Sequence, residues 1–206
     1  MKGNTEGRKF VVETRFAIDA RKSRLTTSQM ELVLGSMLGD GYLMPTTSGF
    51  CFRVNHGLQQ KSYVDWKFKQ LKNFVRSSPR VSGKCYYFRT ITHPEFSDLR
   101  NLFYSGDCKI VPIEFLLEFF SEFSLAVWMM DDGAAEGRQM RINTQCFSLE
   151  ENELLSGLLR AKFGINTTLN RDKNRFRLRI AQTSMEHTMK LVVPFVVPDM
   201  LYKFPL

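Results

Sequence analysis

The sequence predicts a mixed α/β (α+β) protein in which one αββαββα architecture is used twice, giving a pseudo-twofold molecule with two antiparallel sheets. Three observations carry that prediction. Val33–Gly41, VLGSMLGDG, and Leu125–Gly133, LAVWMMDDG, are apolar runs that each end in Asp-Gly, with Asp40 and Asp132 92 positions apart. Each run is followed by the same succession of hairpin, helix, strand pair and helix. Within the strands polar and apolar residues alternate, so each sheet buries one face and presents the other.

Residues 1–27 mix Arg8, Lys9, Arg15, Arg21, Lys22 and Arg24 with Glu6, Glu13 and Asp19 and hold no sustained apolar period, which predicts a basic arm. Its use is either to grip a phosphate backbone or none, as a disordered terminus. The three acids are unusual for an organellar transit peptide. The first half then runs over 28–120. Ser28 is a candidate N-cap with Glu31 behind it, and Met30, Val33, Leu34, Met37 and Leu38 come next at helical spacing. That helix delivers Asp40 at its C-terminal end, where the dipole and an apolar neighbourhood both disfavour an anion, so a positive group should compensate. Residues 42–56, YLMPTTSGFCFRVNH, read as a hairpin turning at Pro45 and Thr46–Gly49, with Phe50, Phe52 and Val54 on one face and Cys51, Arg53 and Asn55 on the other. Val64, Phe68, Leu71 and Val75 predict a helix over Leu58–Val75. A strand over Lys84–Thr92, a helix opened by Pro94 with Phe96, Leu99 and Phe103, and a short helix after Pro112 complete the half.

The second half, 121–206, repeats the order. Ala134–Phe147 is the hairpin; Ser148 with Glu151 forms a capping box for a helix over Leu149–Phe163, which Gly164 stops. Strands come next over Thr167–Asn170 and Arg175–Ile180 around a turn at Asp172–Asn174. Thr183 with Glu186 caps a last helix to Val193, and Pro194 and Pro198 break the segment beyond it.

Lysine and arginine total 29 against 21 acids, a net +8 with pI about 9.4, which favours a polyanionic partner, either nucleic acid or an anionic membrane surface. Eighteen phenylalanines and 43% apolar residues predict a packed core. Cys51, Cys85, Cys108 and Cys146 form no CxxC pair or zinc spacing, and no secretory signal is evident, so they read as reduced thiols of a protein that is not secreted. No apolar run approaches the roughly 20 residues of a membrane span. His56, His93 and His187 follow no metal spacing and read as turn, cap or surface residues; Met37, Met129 and Met130 read as core.

In Arg175–Ile180 alternation sets Arg175, Arg177 and Arg179 against Phe176, Leu178 and Ile180, and Arg141, Asn143 and Gln145 repeat the pattern with Ile142 behind. Arginine suits guanine edges, and asparagine or glutamine suits adenine, in the major groove. The first half offers Arg53, Asn55, Lys84 and Thr90. If helices carrying Gly35, Ser36, Gly39 and Ala126 pack closely, Asp40 and Asp132 come side by side, an arrangement that invites divalent ions. An all-oxygen site suits Mg2+ better than zinc.

The two runs and their flanks resemble the LAGLIDADG homing endonucleases. Counted against that nine-letter pattern, Asp40 and Asp132 fall on its eighth, metal-binding position and Gly41 and Gly133 on its ninth. LAVWMMDDG, the stretch RINTQCFSLEE after it, and the closing DMLYKFP look like the single-chain, intron-encoded members, and the resemblance covers 28–206. Departures stand at Val127 and Asp131, where the pattern more often has small residues; they imply a looser or asymmetric helix contact. The resemblance implies a monomer whose saddle-shaped sheets lie along double-stranded DNA and which cuts both strands of a long target, leaving short 3′ overhangs. It implies two or three Mg2+ ions, with Mn2+ as a substitute, held by Asp40, Asp132 and the backbone carbonyls of Gly39 and Asp131, and a basic residue at each site, Lys109 and Lys203. It implies homing of a mobile intron or intein. No self-splicing block accompanies the chain, which favours a free-standing or intron-encoded enzyme acting in a mitochondrion, chloroplast or bacterial cytoplasm. The rivals are a maturase that binds intron RNA with the same saddle and a DNA-binding regulator, against which the intact aspartates count.

Overall fold

The structure is a computed structural model that describes residues 14–205. Part of the predicted arm is helical: α1 (Arg15–Lys22) buries Ala20, and Arg21 Nε donates to the Thr92 carbonyl at 3.0 Å. The arm up to residue 13 lies outside the described residues. The first motif helix, α2 (Thr27–Leu38), starts at Thr26 rather than Ser28. Thr26 Oγ1 accepts the Gln29 N–H while Gln29 Oε1 accepts the Thr26 N–H, and the buried Gln29 amide also reaches Gln70 O and Asn73 Oδ1. Both Thr26 and Ser28 can cap; the tertiary bonds of Gln29 select the first.

The hairpin is β1 (Tyr42–Thr46) and β2 (Gly49–Gly57). The single helix predicted over Leu58–Val75 is broken into a 3-10 turn Leu58–Gln60, α3 (Lys61–Gln70) and a second turn Lys72–Phe74. The half is completed by β3 (Arg80–Ser82), β4 (Cys85–Arg89), α4 (Pro94–Phe103), the short pair β5 (Tyr104–Ser105) and β6 (Cys108–Lys109), and α5 (Ile113–Phe119). The second half is α6 (Glu122–Asp132), β7 (Gly133–Glu136), β8 (Gln139–Ile142), α7 (Leu149–Phe163), β9 (Thr167–Asp172), β10 (Arg175–Ile180) and α8 (Met185–Val192). The Ser148–Glu151 capping box and the left-handed Gly164 bound α7 as predicted. The predicted Thr183 cap is absent: a 3-10 turn Gln182–Ser184 intervenes and α8 has no side-chain cap.

The sheets run β1-β2-β4-β3 and β7-β8-β10-β9, antiparallel throughout. Arg53 lies opposite Tyr42 and Arg89, and Arg141 lies opposite Ala134 and Arg179, so the halves match residue for residue. One core crosses both, from Phe52 and Phe88 through Leu34 and Trp128 to Ile142 and Leu178. At its centre α2 and α6 touch backbone to backbone. A Cβ on Gly35 would stand 2.3 Å from the Ser124 carbonyl oxygen, and one on Gly39 would stand 2.5 Å from Asp131 Cβ. Val127 and Asp131 therefore do not loosen the contact. The glycines of α2 receive them, and the asymmetry lies in which helix carries the bulk. Among the described residues no helix is long and apolar enough to cross a membrane.

Candidate metal centre and nucleic-acid face

The ends of α2 and α6 meet, Gly39 and Asp40 lying against Asp131, and both carry acid. Asp40 keeps 47% of its side chain exposed, yet its place low in the site still desolvates it, and this, then the charge of Asp131, raises its pKa. Asp132 is pushed up to about 8 by burial, then by Asp40 and Asp131. Among the described residues neither carboxylate has a lysine or arginine nitrogen at ion-pair distance. The compensating charge goes to the backbone instead. Lys109 Nζ donates to the Gly39 carbonyl at 2.6 Å, and Lys203 Nζ donates to the Asp131 carbonyl at 2.5 Å. These are matching steps of the two helices, and each ammonium satisfies a carbonyl at a helix C-terminus. Burial is the main cause of the lowered pKa of both lysines.

The donors facing this centre are oxygens: two carboxylates, Asp132 feeling the charge of Asp40, and two carbonyls that each keep a second lone pair beside their lysine bond. Such a set fits a hard divalent cation, whose charge would offset the desolvation and the neighbouring carboxylate charge that raise both pKa values.

The Asp131 side chain points away into the protein. It is fully buried, bonded by Lys67 Nζ at 2.7 and 3.0 Å and by the Tyr63 hydroxyl at 2.8 Å, and it accepts the Asp40 N–H at 3.3 Å. Burial pushes its pKa up, but Lys67, His56 and Tyr63 outweigh that and hold it below the usual carboxylate range. His56 lies buried with Nδ1 3.5 Å from Asp40 Oδ2 and Nε2 3.9 Å from Asp131 Oδ1. Burial, then Lys67, lowers its pKa to about 4, so it is neutral. Asp40, His56 and Asp131 bring ligand atoms within 4.8 Å of one another. With its oxygens already holding Lys67, Tyr63 and the Asp40 amide, Asp131 belongs to a hydrogen-bonded network rather than to an open cation site. His93, by contrast, caps α4 by accepting the Glu95 N–H, and His187 contacts the Phe163 carbonyl at the end of α7.

The solvent faces of the sheets carry the other candidates. Arg53 lies over the Tyr87 ring at 4.9 Å, and Arg80 over the same ring at 5.3 Å. Arg89 stands beside Arg53, and Lys84 is exposed in the β3–β4 turn. Thr90 does not present its side chain. It is buried, and its hydroxyl accepts the Phe52 N–H and donates to Ile91 O, because the chain turns inward after β4. A cleft between α1 and the first sheet is lined by Arg76, Arg80 and Arg89.

On the second sheet Glu136 joins both Arg141 and Arg179, the latter at 2.6 Å. Asp172 takes Gln145 Nε2 at 2.9 Å and lies 3.9 Å from Arg177; Arg175 is exposed and reaches Gln145 O. Asn143 stands just beyond β8, its backbone N–H bonded to Asp132 O. Arg53 Nε, Asn55 Oδ1, Arg141 Nε and Arg179 Nε are shielded from water without a hydrogen-bond partner. That is a costly state unless a ligand supplies partners. Sequence reasoning missed Glu136 and Asp172 on the basic face, and Tyr63, Lys67 and His56 behind the motif. The strand alternation of Tyr87 and Arg89 could have added those two.

The pattern that describes the LAGLIDADG DNA endonuclease family matches residues 30–187. The chain is 29% identical over 203 residues to the probable intron-encoded endonuclease 1 of Wickerhamomyces canadensis, covering 90% of this chain and 88% of that protein. It is 25% identical over 203 residues to the cytochrome b mRNA maturase bI2 of Saccharomyces cerevisiae, covering 87% of this chain and 48% of the maturase. The chain thus spans about half the length of several curated relatives it matches. The solved structure of the homing endonuclease I-WcaI bound to its DNA recognition sequence superimposes with a TM-score of 0.84 at 26% identity, over 96% of this chain and 95% of that one.

Proposed function

Because the chain belongs to the LAGLIDADG DNA endonuclease family, we propose that it is a monomeric, site-specific homing endonuclease that hydrolyses one phosphodiester in each strand of a long DNA target and leaves short 3′ overhangs. The observation that supports this most is the pair of carboxylates with raised pKa values, Asp40 and Asp132, set between two basic sheets with one lysine at each helix end. Asp40 and Asp132, with the Gly39 and Asp131 carbonyls, would hold two or three Mg2+ ions, Mn2+ substituting. Bound there, divalent cations supply an activated water and neutralise charge at the phosphate and the leaving oxygen. Each aspartate serves one strand. Lys109 and Lys203 bring positive charge to the attacked phosphate from a fixed, partly desolvated position. The sheets lie along the major groove: Arg53, Asn55, Arg141, Asn143, Gln145, Arg177 and Arg179 read bases, while Arg175, Lys84 and the basic arm hold backbone. The place of action would be an organelle or the bacterial cytoplasm, during intron homing.

Cleavage of an intron-insertion-site library in supercoiled plasmid, with Mg2+ against EDTA, tests this. Asp40→Asn or Asp132→Asn should abolish double-strand cleavage while gel-shift affinity stays within about tenfold, since phosphate contacts dominate binding. Lys109→Met and Lys203→Met should each slow single-turnover cleavage by about one to three orders of magnitude. Either aspartate variant cutting both strands at the wild-type rate would remove that residue from the centre. The similarity to a protein named an mRNA maturase favours one second reading, intron RNA binding that assists splicing. Its signature is promotion of splicing by the Asp40→Asn variant at the wild-type level, in the same Mg2+ in which that variant no longer cuts DNA.

A further inference from the structure

The two aspartates are delivered by different backbone. α6 runs through Asp132, and the Gly133 N–H closes the helix on Met129 O. α2 stops at Leu38, two residues short of Asp40; Gly39 leaves the helix at φ −105°, ψ −131°, and the Gly41 N–H folds back onto Ser36 O at 2.7 Å. The Asp40 N–H is left without a helical carbonyl, and its acceptor is Asp131 Oδ2 at 3.3 Å.

That acceptor is itself fixed on every side. Lys67 Nζ bonds both Asp131 oxygens and donates to Ser36 Oγ at 2.8 Å, on the same turn of α2 that receives Gly41. Tyr63 holds Oδ1, and His56 stands between the two acids. Lys67, Tyr63 and His56 all come from the first half, whereas Asp131 comes from the second. The second half has no counterpart. In the matching register Thr144 occupies the place of His56 and donates to Asn152. Gly39 occupies the place of Asp131, and the inward face of α7 presents Asn152, Leu155, Leu158 and Leu159. A fully buried lysine–aspartate pair generally stabilises no better than apolar residues of the same volume. That its carboxylate accepts the backbone N–H of Asp40, while the Asp132 backbone is held by its own helix, calls for another role.

We propose that Asp131, clamped by Lys67 and Tyr63, is a positioning residue for Asp40 only, so that one of the two strand-cutting sites depends on this cross-half network while the Asp132 site depends on its own helix. The proposal rests on the endonuclease reading above. Removing Lys67 alone would strand a buried carboxylate, so the charges are removed together in Lys67→Met/Asp131→Ala. Lys67→Met/Asp131→Asn is the conservative partner, in which an amide oxygen can still accept the Asp40 N–H.

In the metal-free full chain, amide hydrogen exchange at Asp40 should quicken about tenfold or more in the alanine variant and return toward wild type in the asparagine variant, with Gly133 unchanged. On end-labelled duplex with Mg2+, the alanine variant should cut one strand about 10–100-fold more slowly and the other within about twofold, accumulating nicked product, again with partial rescue by asparagine. A melting temperature above the assay temperature establishes that each variant is folded. Equal slowing of both strands, or unchanged Asp40 exchange, overturns the proposal while leaving the endonuclease reading intact. Wild-type protein that cuts neither strand overturns that reading and the proposal with it.

Discussion

Asp132 makes the metal-free protein sensitive to alkali. Its unfolded pKa is near 3.8 and its folded one about 8, raised by burial and then by Asp40 and Asp131, so between those values the folded chain binds more protons than the unfolded chain. Stability from this group is therefore complete below about pH 4 and is lost as pH rises towards 8; the raised Asp40 acts in the same direction. In EDTA, the melting temperature of the wild type should fall across that window more steeply than that of Asp132→Asn, and Mg2+ should restore it at pH 8. Parallel curves for the two proteins would show that Asp132 titrates normally. Both acids were legible in the sequence because each closes an apolar run with Asp-Gly. The network behind Asp131 was not. Its partners lie 64 to 75 positions away, and Lys67 follows Val64 on the inward side of α3, where a lysine in sequence reads as solvent-facing. Only the packing of α6 against that face shows that its charge is taken up by an equally buried carboxylate.

Glycine separates two kinds of helix in this chain. Gly35 lies where α2 meets α6, and an added methyl would collide with the Ser124 carbonyl oxygen at 2.3 Å; around Gly157, inside α7, nothing lies within 4 Å. Gly35→Ala should destabilise by about 1–3 kcal/mol or more through overpacking. Gly157→Ala should stabilise by about 0.5–1 kcal/mol through helix propensity alone. Urea melts of the two variants measure both, and a harmless Gly35→Ala would mean the helices stand further apart. The strand register makes a similar contrast. Leu178→Ala should cost about 2–5 kcal/mol, because Leu178 is fully buried opposite Ile142. Exposed Arg175→Ala should stay within about 0.5 kcal/mol by the same melts. Period-two alternation exposed this register in the sequence, and capping chemistry gave α7 to the residue. Where local signals were duplicated, as with Thr26 and Ser28, or where a 3-10 turn interrupted an apolar period, as at Lys72–Phe74, tertiary bonds decided the boundary.

The duplication itself was plain from the repeated motif, but how tightly the halves are joined is a property of the whole molecule. Domains that merely adjoin meet through polar, modest interfaces. Here α2 and α6 are in backbone contact, Ser124 Oγ bonds the Glu31 carbonyl at 2.9 Å, the Lys67–Asp131 pair crosses the junction, and the buried cluster continues from one sheet to the other. Separated halves would expose that apolar seam and leave Lys67 and Asp131 without each other, a state more costly than either half can offset. Calorimetry should therefore show one transition whose van't Hoff and calorimetric enthalpies agree. Fragments 28–120 and 121–206 should each fail to fold alone. On the proposed function the same coupling bears on activity, since Asp40 and Asp132 come from different halves and the intact seam brings the ends of α2 and α6 together. Gly35→Ala should lower double-strand cleavage at temperatures where circular dichroism still reports native helix, because a sub-ångström separation of α2 and α6 displaces both carboxylates at once. Two resolved transitions, or a cleavage rate indifferent to Gly35→Ala, would instead mark the halves as independent domains.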